Sequence, residues 1–159
     1  MSIISLEQFL KGRAEFPLLP LDVQKNSLTT LRRVNNFLHR VGAEGAVCND
    51  GLRIRGQHKP KNGAERSNHY LGAAIDIDDN DSAWLWKLTI KNISLAQEIG
   101  LWMEDPRWTH GSVGTWMHYQ IYPPGSGKRI YVPSIEPASA PELWDGVYDT
   151  NYNLLVAES

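Results

Sequence analysis

Apolar residues recur at three- and four-residue intervals after Asp22: Leu28, Leu31, Val34, Leu38 and Val41 fall on one stripe of a helix. Asp22 is placed to cap its start and Gly42 to end it. Before it, residues 1 to 19 predict a short helix or arm over SLEQFLKGR, then a loop rich in Pro and Leu. After it the period changes to two. GAVCNDGLRIRG predicts a short strand, a turn and a second extended piece, and the polar run 56 to 68 predicts a loop. GAAIDIDD predicts a strand with Ala74, Asp76 and Asp78 on one face and Ile75 and Ile77 on the other. Asp81 and Ser82 are positioned to cap a helix through Trp84, Leu85 and Leu88, and Ser94 to open another that runs to Gly100. LWME and WMHYQIY predict strands joined by the loop DPRWTHGSVGT, and KRIYVP predicts a last strand ended by Pro133. From Ser134 the chain is rich in Pro, Ala and acidic residues and predicts a surface tail with a frayed end. A helix followed by short strands interrupted by helices implies an α+β domain with a small, mostly antiparallel sheet flanked by helices.

Composition narrows this only modestly. A chain of 159 residues suits one domain, read as residues 1–133 with a C-terminal tail at 134–159. A formal net charge of -2 gives no electrostatic ground for nucleic acid or an anionic membrane as partner. No run approaches the ~18 apolar residues of a membrane span. The start, MSIISLEQFLKGRAEF, lacks a basic stretch followed by an apolar one, so the expectation is cytoplasmic synthesis without a signal peptide. The single cysteine, Cys48, sits in an apolar run and reads as a buried small side chain rather than a nucleophile. Six tryptophans are many for this length and can serve a core or line a groove for sugar or peptide.

Candidate chemistry concentrates in SNHYLGAAID, residues 67 to 76. A carboxylate in the middle of an apolar strand is costly unless paired or coordinated, and Asp76 shares its face with the small Ala74, which leaves room in front of it. His69 precedes the strand and can fold over its start. In WMHYQ, Trp116, His118 and Gln120 share a face, so His118 stands in a core strand as a second polar oddity. Two histidines and a carboxylate with a fourth position open form the pattern of a catalytic zinc site. The bland alternative, hydrogen-bonded His and Asp without metal, fits the same spacing.

Ser67-x-His69-x-x-Gly72-x-Ala74-x-Asp76, followed by Trp116-x-His118, resembles the zinc peptidase family of D-alanyl-D-alanine carboxypeptidases and dipeptidases. That family includes L-alanyl-D-glutamate endolysins and shares its fold with the hedgehog signalling domain. Asp50-Gly51-Leu52-Arg53 stands where the family has an extended segment ending in Gly-aromatic-Arg, with Leu for the aromatic. The resemblance spans a core of roughly 22–133, and GLWMEDPRWT with WMHYQIYPPGSGKR is similar to small peptidase-like proteins of tailed bacteriophages. It implies a hedgehog/D-Ala-D-Ala peptidase-like fold and Zn2+ held by His69, Asp76 and His118. Arg53 would steady the oxyanion of the scissile peptide, and Arg55, Ser67, Trp116 and Gln120 would meet the substrate or wall the site. The implied activity is hydrolysis of peptidoglycan stem peptides by metal-activated water, of carboxypeptidase or endolysin type, in a monomer. The protein would reach the wall on release at lysis or aboard a virion.

One departure matters. The family places a catalytic Glu or Asp three residues before the last histidine, and here that position is Thr115, whose hydroxyl cannot act as the base near neutral pH. Glu104 is the expected substitute, if LWME pairs antiparallel with the strand bearing His118, and Asp105 is the second choice. The competing class is a non-catalytic zinc-binding module, for the cell wall or a partner, on the same scaffold.

Overall fold

Seven stretches are described by the computed structural model: residues 1–13, 15–57, 67–80, 82–106, 109–111, 114–124 and 127–131. The predicted tail at 134–159, Pro133, Asp81 and most of the loop at 56–68 lie outside them. The first helix, α1 (Leu6–Leu10), begins with a capping box: the Ser5 hydroxyl accepts the Gln8 N–H and the Gln8 side chain accepts the Ser5 N–H. The predicted long helix is α2 (Leu21–Arg40), and Gly42 follows its end with a left-handed φ of 74°. Its start differs from expectation. Pro20 occupies the cap position without a side-chain bond, and Asp22 lies in the first turn, where its charge meets the positive end of the helix dipole.

The buried arc of α2 is also rotated from the apolar stripe. Val23, Ser27, Thr30, Leu31, Val34, Asn35, Phe37 and Leu38 are buried, while Leu28 is 52% exposed. Ser27 and Thr30 are admitted because their hydroxyls are bonded, Ser27 to the Val23 carbonyl and Thr30 to the Gly72 carbonyl.

The strands follow as β1 (Cys48–Asp50) and β2 (Ala74–Asp78), then the helices α3 (Trp84–Lys91) and α4 (Ile93–Ile99). β3 (Trp102–Glu104), β4 (His110–Gly111), β5 (Gly114–Gln120) and β6 (Ile130–Tyr131) complete the order. The sheet runs β1-β2-β5-β3-β6, with β4 turned back on the start of β5 as a small hairpin inside the predicted loop. Among the described residues every strand pairing is antiparallel except β3 with β6. The molecule is therefore α+β, a mostly antiparallel open sheet with four α-helices among the described residues. None of these helices is long and apolar enough to cross a membrane.

Alternation places Ile75 and Ile77 of β2 with Met117 and Tyr119 of β5 in one core with Val34, Phe37 and Leu38 of α2 and Leu85 of α3. The Phe37 and Tyr119 rings lie 5.9 Å apart. Cys48 is buried at the edge of this core, and burial pushes its thiol up to about 12, in keeping with an inert side chain. The cap of α3 is Asp79 rather than Ser82: its Oδ1 accepts the Leu85 N–H at 2.7 Å and the Trp86 N–H at 3.4 Å. The residue at the cap position itself is Ala83, left-handed and without a side-chain bond. Burial raises the Asp79 pKa, partly offset by those two N–H donors.

A 3-10 turn, Asn68–Leu71, links this core to the candidate chemistry. It closes on Gly72, whose φ is +69° and whose added Cβ would lie 2.4 Å from Ser27 Oγ and 2.9 Å from the Val23 carbonyl oxygen. Asn26 donates to the Leu71 carbonyl and Thr30 to that of Gly72, so the turn is fastened to α2. Gly72→Ala combines a left-handed L-residue with an overlap against helix backbone, together about 2–4 kcal/mol of lost stability. A denaturation midpoint unchanged by that substitution would show the turn to be independent of α2.

Candidate metal centre

His69, Asp76 and His118 come from three different elements and meet. β2 and β5 pair in a register that sets Asp76 directly opposite His118. The 3-10 turn delivers His69 from the side. All three are buried, at 2%, 6% and 7% relative exposure. One Asp76 oxygen, Oδ1, lies 2.8 Å from His118 Nδ1, and the other, Oδ2, lies 3.3 Å from His69 Nε2. The two imidazole rings stand edge to face at 5.1 Å.

The orientation of each ring follows from its outer partner. His69 Nδ1 lies 2.6 Å from the Gly51 carbonyl, which can only accept, so Nδ1 carries hydrogen and Nε2 faces Asp76. His118 is turned the other way. Its Nε2 donates to Gln120 Oε1 at 3.0 Å, and the amide is held in that sense because Gln120 Nε2 donates to the Tyr122 carbonyl. Tyr131 also donates its hydroxyl to Gln120 Oε1. This leaves His118 Nδ1 towards Asp76. Burial opposes charge on His118, but the Asp76 carboxylate, helped by Glu104 and Gln120, outweighs it and raises the pKa. Burial likewise opposes charge on Asp76, and the two histidines overcome it to hold its carboxyl far below the usual carboxylate range.

Arg53 reaches the cluster, with Nη2 3.5 Å from Asp76 Oδ2. Its Nε donates to Asp50 Oδ2 at 2.7 Å. Arg55 is exposed and lies over the Tyr70 ring, 4.8 Å from its centroid. Glu104 sits on the predicted antiparallel neighbour of β5. Trp102 pairs with Gln120 and Met103 with Tyr119, so the next position along, Glu104, falls opposite His118. Thr115 falls by alternation on the face of Met117 and Tyr119, away from His118. Asp105 is fully buried.

Two residues expected at the substrate have other partners. Ser67 caps the 3-10 turn, its hydroxyl accepting the His69 N–H at 3.3 Å. Gln120 is buried, with its amide committed to His118, Tyr131 and Tyr122. Trp116 is half-buried on β5 opposite Asp78. The side chain of His110 lies outside the described residues. Sequence reasoning passed over Asp50, the Gly51 carbonyl and Tyr131. Asp50 stands three residues from Arg53 and signals itself as an acid next to a predicted functional arginine, whereas a backbone carbonyl and a tyrosine from a distant strand give no local sign.

The donors suit a metal. Two imidazole nitrogens and a carboxylate oxygen, one from each residue, lie within 4.8 Å of one another. Around a tetrahedral zinc with bonds of about 2.0–2.2 Å, ligand atoms stand about 3.3–3.6 Å apart. The His69–Asp76 separation of 3.3 Å already has that value. Each ring has its remote nitrogen hydrogen-bonded outward, as metal-bound histidines do. Protein-family models, curated proteins and solved structures offer no match to this chain.

Proposed function

We propose that the protein is a zinc-dependent peptidase acting on the peptide stems of the bacterial cell wall. The observation that carries the proposal is the convergence of His69, Asp76 and His118, buried and within 4.8 Å, with Arg53 beside Asp76. The order of residues around them, Ser67 to Asp76 and Trp116 to His118, supports the choice of zinc and of a wall peptide, because it resembles that peptidase family. Zinc bound there would polarise the scissile carbonyl and lower the pKa of water to about 7.

The chain's own groups account for the remaining work. Arg53 offers a fixed fork of donors to the carbonyl oxygen as negative charge develops on it. Glu104 accepts the proton of the attacking water and returns it to the amine nitrogen as the C–N bond breaks. Arg55, exposed over Tyr70, meets a carboxylate of the stem peptide, and Trp116, half-buried on the His118 face of β5, walls the site. Ser67 and Gln120 act at one remove, by holding the two histidines.

The test is direct. Purified wall peptides incubated with the protein and zinc should show new amino termini by mass spectrometry, from a D-Ala-D-Ala or L-Ala-D-Glu bond. A chelator should abolish them. Intact peptides in the presence of stoichiometric bound zinc would overturn the peptidase and favour a binding module on the same scaffold. The observation on that side is Thr115, which stands where the family has a carboxylate and faces away from His118.

A further inference from the structure

The first thirteen residues lie outside the span of the family resemblance, yet they grip the stretch that orients the candidate centre. The Phe9 carbonyl accepts the Leu52 N–H at 3.1 Å. Lys11 Nζ donates to the Asn49 carbonyl, and Arg13 Nη1 donates both to Asp50 Oδ1 and to the Leu52 carbonyl. The approach is so close that a Cβ on Gly51 would lie 2.2 Å from the Phe9 carbonyl oxygen. The arm is itself anchored to α2, where the Asn35 amide accepts the Ile4 N–H at 2.7 Å and donates to the Ile4 carbonyl at 2.9 Å. Ile4 and Phe9 are fully buried.

The opposite side of residues 49–53 faces His69. The Gly51 carbonyl accepts from His69 Nδ1, and the Arg53 N–H donates to the His69 carbonyl at 3.1 Å. Asp50 joins the two sides. One of its oxygens accepts from Arg13 and from the Gly51 N–H, the other from Arg53 Nε. Burial opposes its charge, and His69, Arg53 and Arg13 overcome this and keep its carboxyl below the ordinary range. A carboxylate bonded on both oxygens to two guanidinium groups cannot swing, so the Arg53 plane is set by the arm.

We infer that the N-terminal arm is a working part of the site, with Arg13 and Asp50 as positioning residues that hold Arg53 and the Gly51 carbonyl in register with Asp76 and His69. A general clamp would need only the Phe9–Leu52 bond and apolar packing. The charged chain Arg13–Asp50–Arg53–Asp76 adds direction, since each link aims the next. The kinetic side of this inference rests on the peptidase reading, and the structural side needs only the metal.

Three variants test it: Asp50→Asn, Arg13→Gln and the conservative Arg13→Lys. In the parent protein the Arg53 Nε–H should give a resolved NMR signal protected from exchange with water. Asp50→Asn should lose that protection and weaken zinc binding about tenfold, the cost of an orienting partner. On a wall peptide the same substitution, assayed well below its unfolding transition and per zinc-loaded folded molecule, should lower kcat about tenfold and leave KM in place. Arg13→Gln should move all three quantities in the same direction, and Arg13→Lys should recover part of each. If Asp50→Asn does not fold, the Arg13 pair decides. The inference is overturned if Arg53 protection and zinc affinity match the parent in every folded variant while only the unfolding midpoint falls. A protein that binds zinc and cleaves nothing would end the peptidase reading, and the exchange and zinc measurements would still decide the arm.

Discussion

Asp76→Asn should weaken zinc binding by more than about a hundredfold, past the 10–100-fold range that loss of an orienting partner costs. Both oxygens of Asp76 are engaged, Oδ1 with His118 and Oδ2 with His69 and Arg53. Asparagine keeps the volume but removes the charge, and it leaves one accepting oxygen where Asp76 has two. The metal-free protein should suffer too. A buried charge network that loses one member leaves the others uncompensated, at a cost of about 3–5 kcal/mol. Here the group left uncompensated is the His118 ring, since Arg53 keeps its bond to Asp50. Calorimetric titration of zinc into the metal-free variant measures the first effect, and a denaturation midpoint the second. An Asp76→Asn protein that takes up zinc with the parent's affinity would mean that the three side chains do not act together on a cation.

The reasons for that convergence were partly legible in the chain. Period-two alternation assigns Asp76 to the face of Ala74 and His118 to the face of Trp116 and Gln120, and the observed register then brings the two faces together. Glu104 was legible for the same reason, since a strand separated from β5 by a loop of moderate length pairs back on it. What escaped depends on contacts between distant segments. Leu28 belongs to the apolar stripe of α2 and still faces outward, because buried hydroxyls of Ser27 and Thr30 turn the helix towards the Gly72 turn. Asp79 caps α3 from six residues before Leu85, a reach wider than a local capping pattern covers. The parallel pairing of β6 with β3 and the docking of the arm on residues 49–53 join stretches dozens of residues apart, and neither leaves a periodic trace.

Glu104→Gln should separate chemistry from binding. Zinc affinity should stay within about tenfold of the parent, because Glu104 is not one of the three ligands, whereas turnover of a wall peptide should fall by about 10²–10⁴, the contribution of a positioned base. Its place on the sheet supports that assignment. β5 holds β3 from one side through Trp102–Gln120 and Met103–Tyr119, and β6 holds it from the other through Glu104–Tyr131. Directly opposite cross-strand residues have Cβ atoms about 5 Å apart, which lets the Glu104 carboxylate reach a water molecule in front of His118. Its negative charge already contributes to raising the His118 pKa. The alternatives are poorer on geometry: Asp105 is fully buried, and Thr115 points from the other face of β5. Gln keeps the size and hydrogen-bonding reach of the side chain and cannot take a proton. Full turnover by the Glu104→Gln protein would therefore exclude this carboxylate as the base, with bound zinc showing that the fold and the three ligands had survived the exchange.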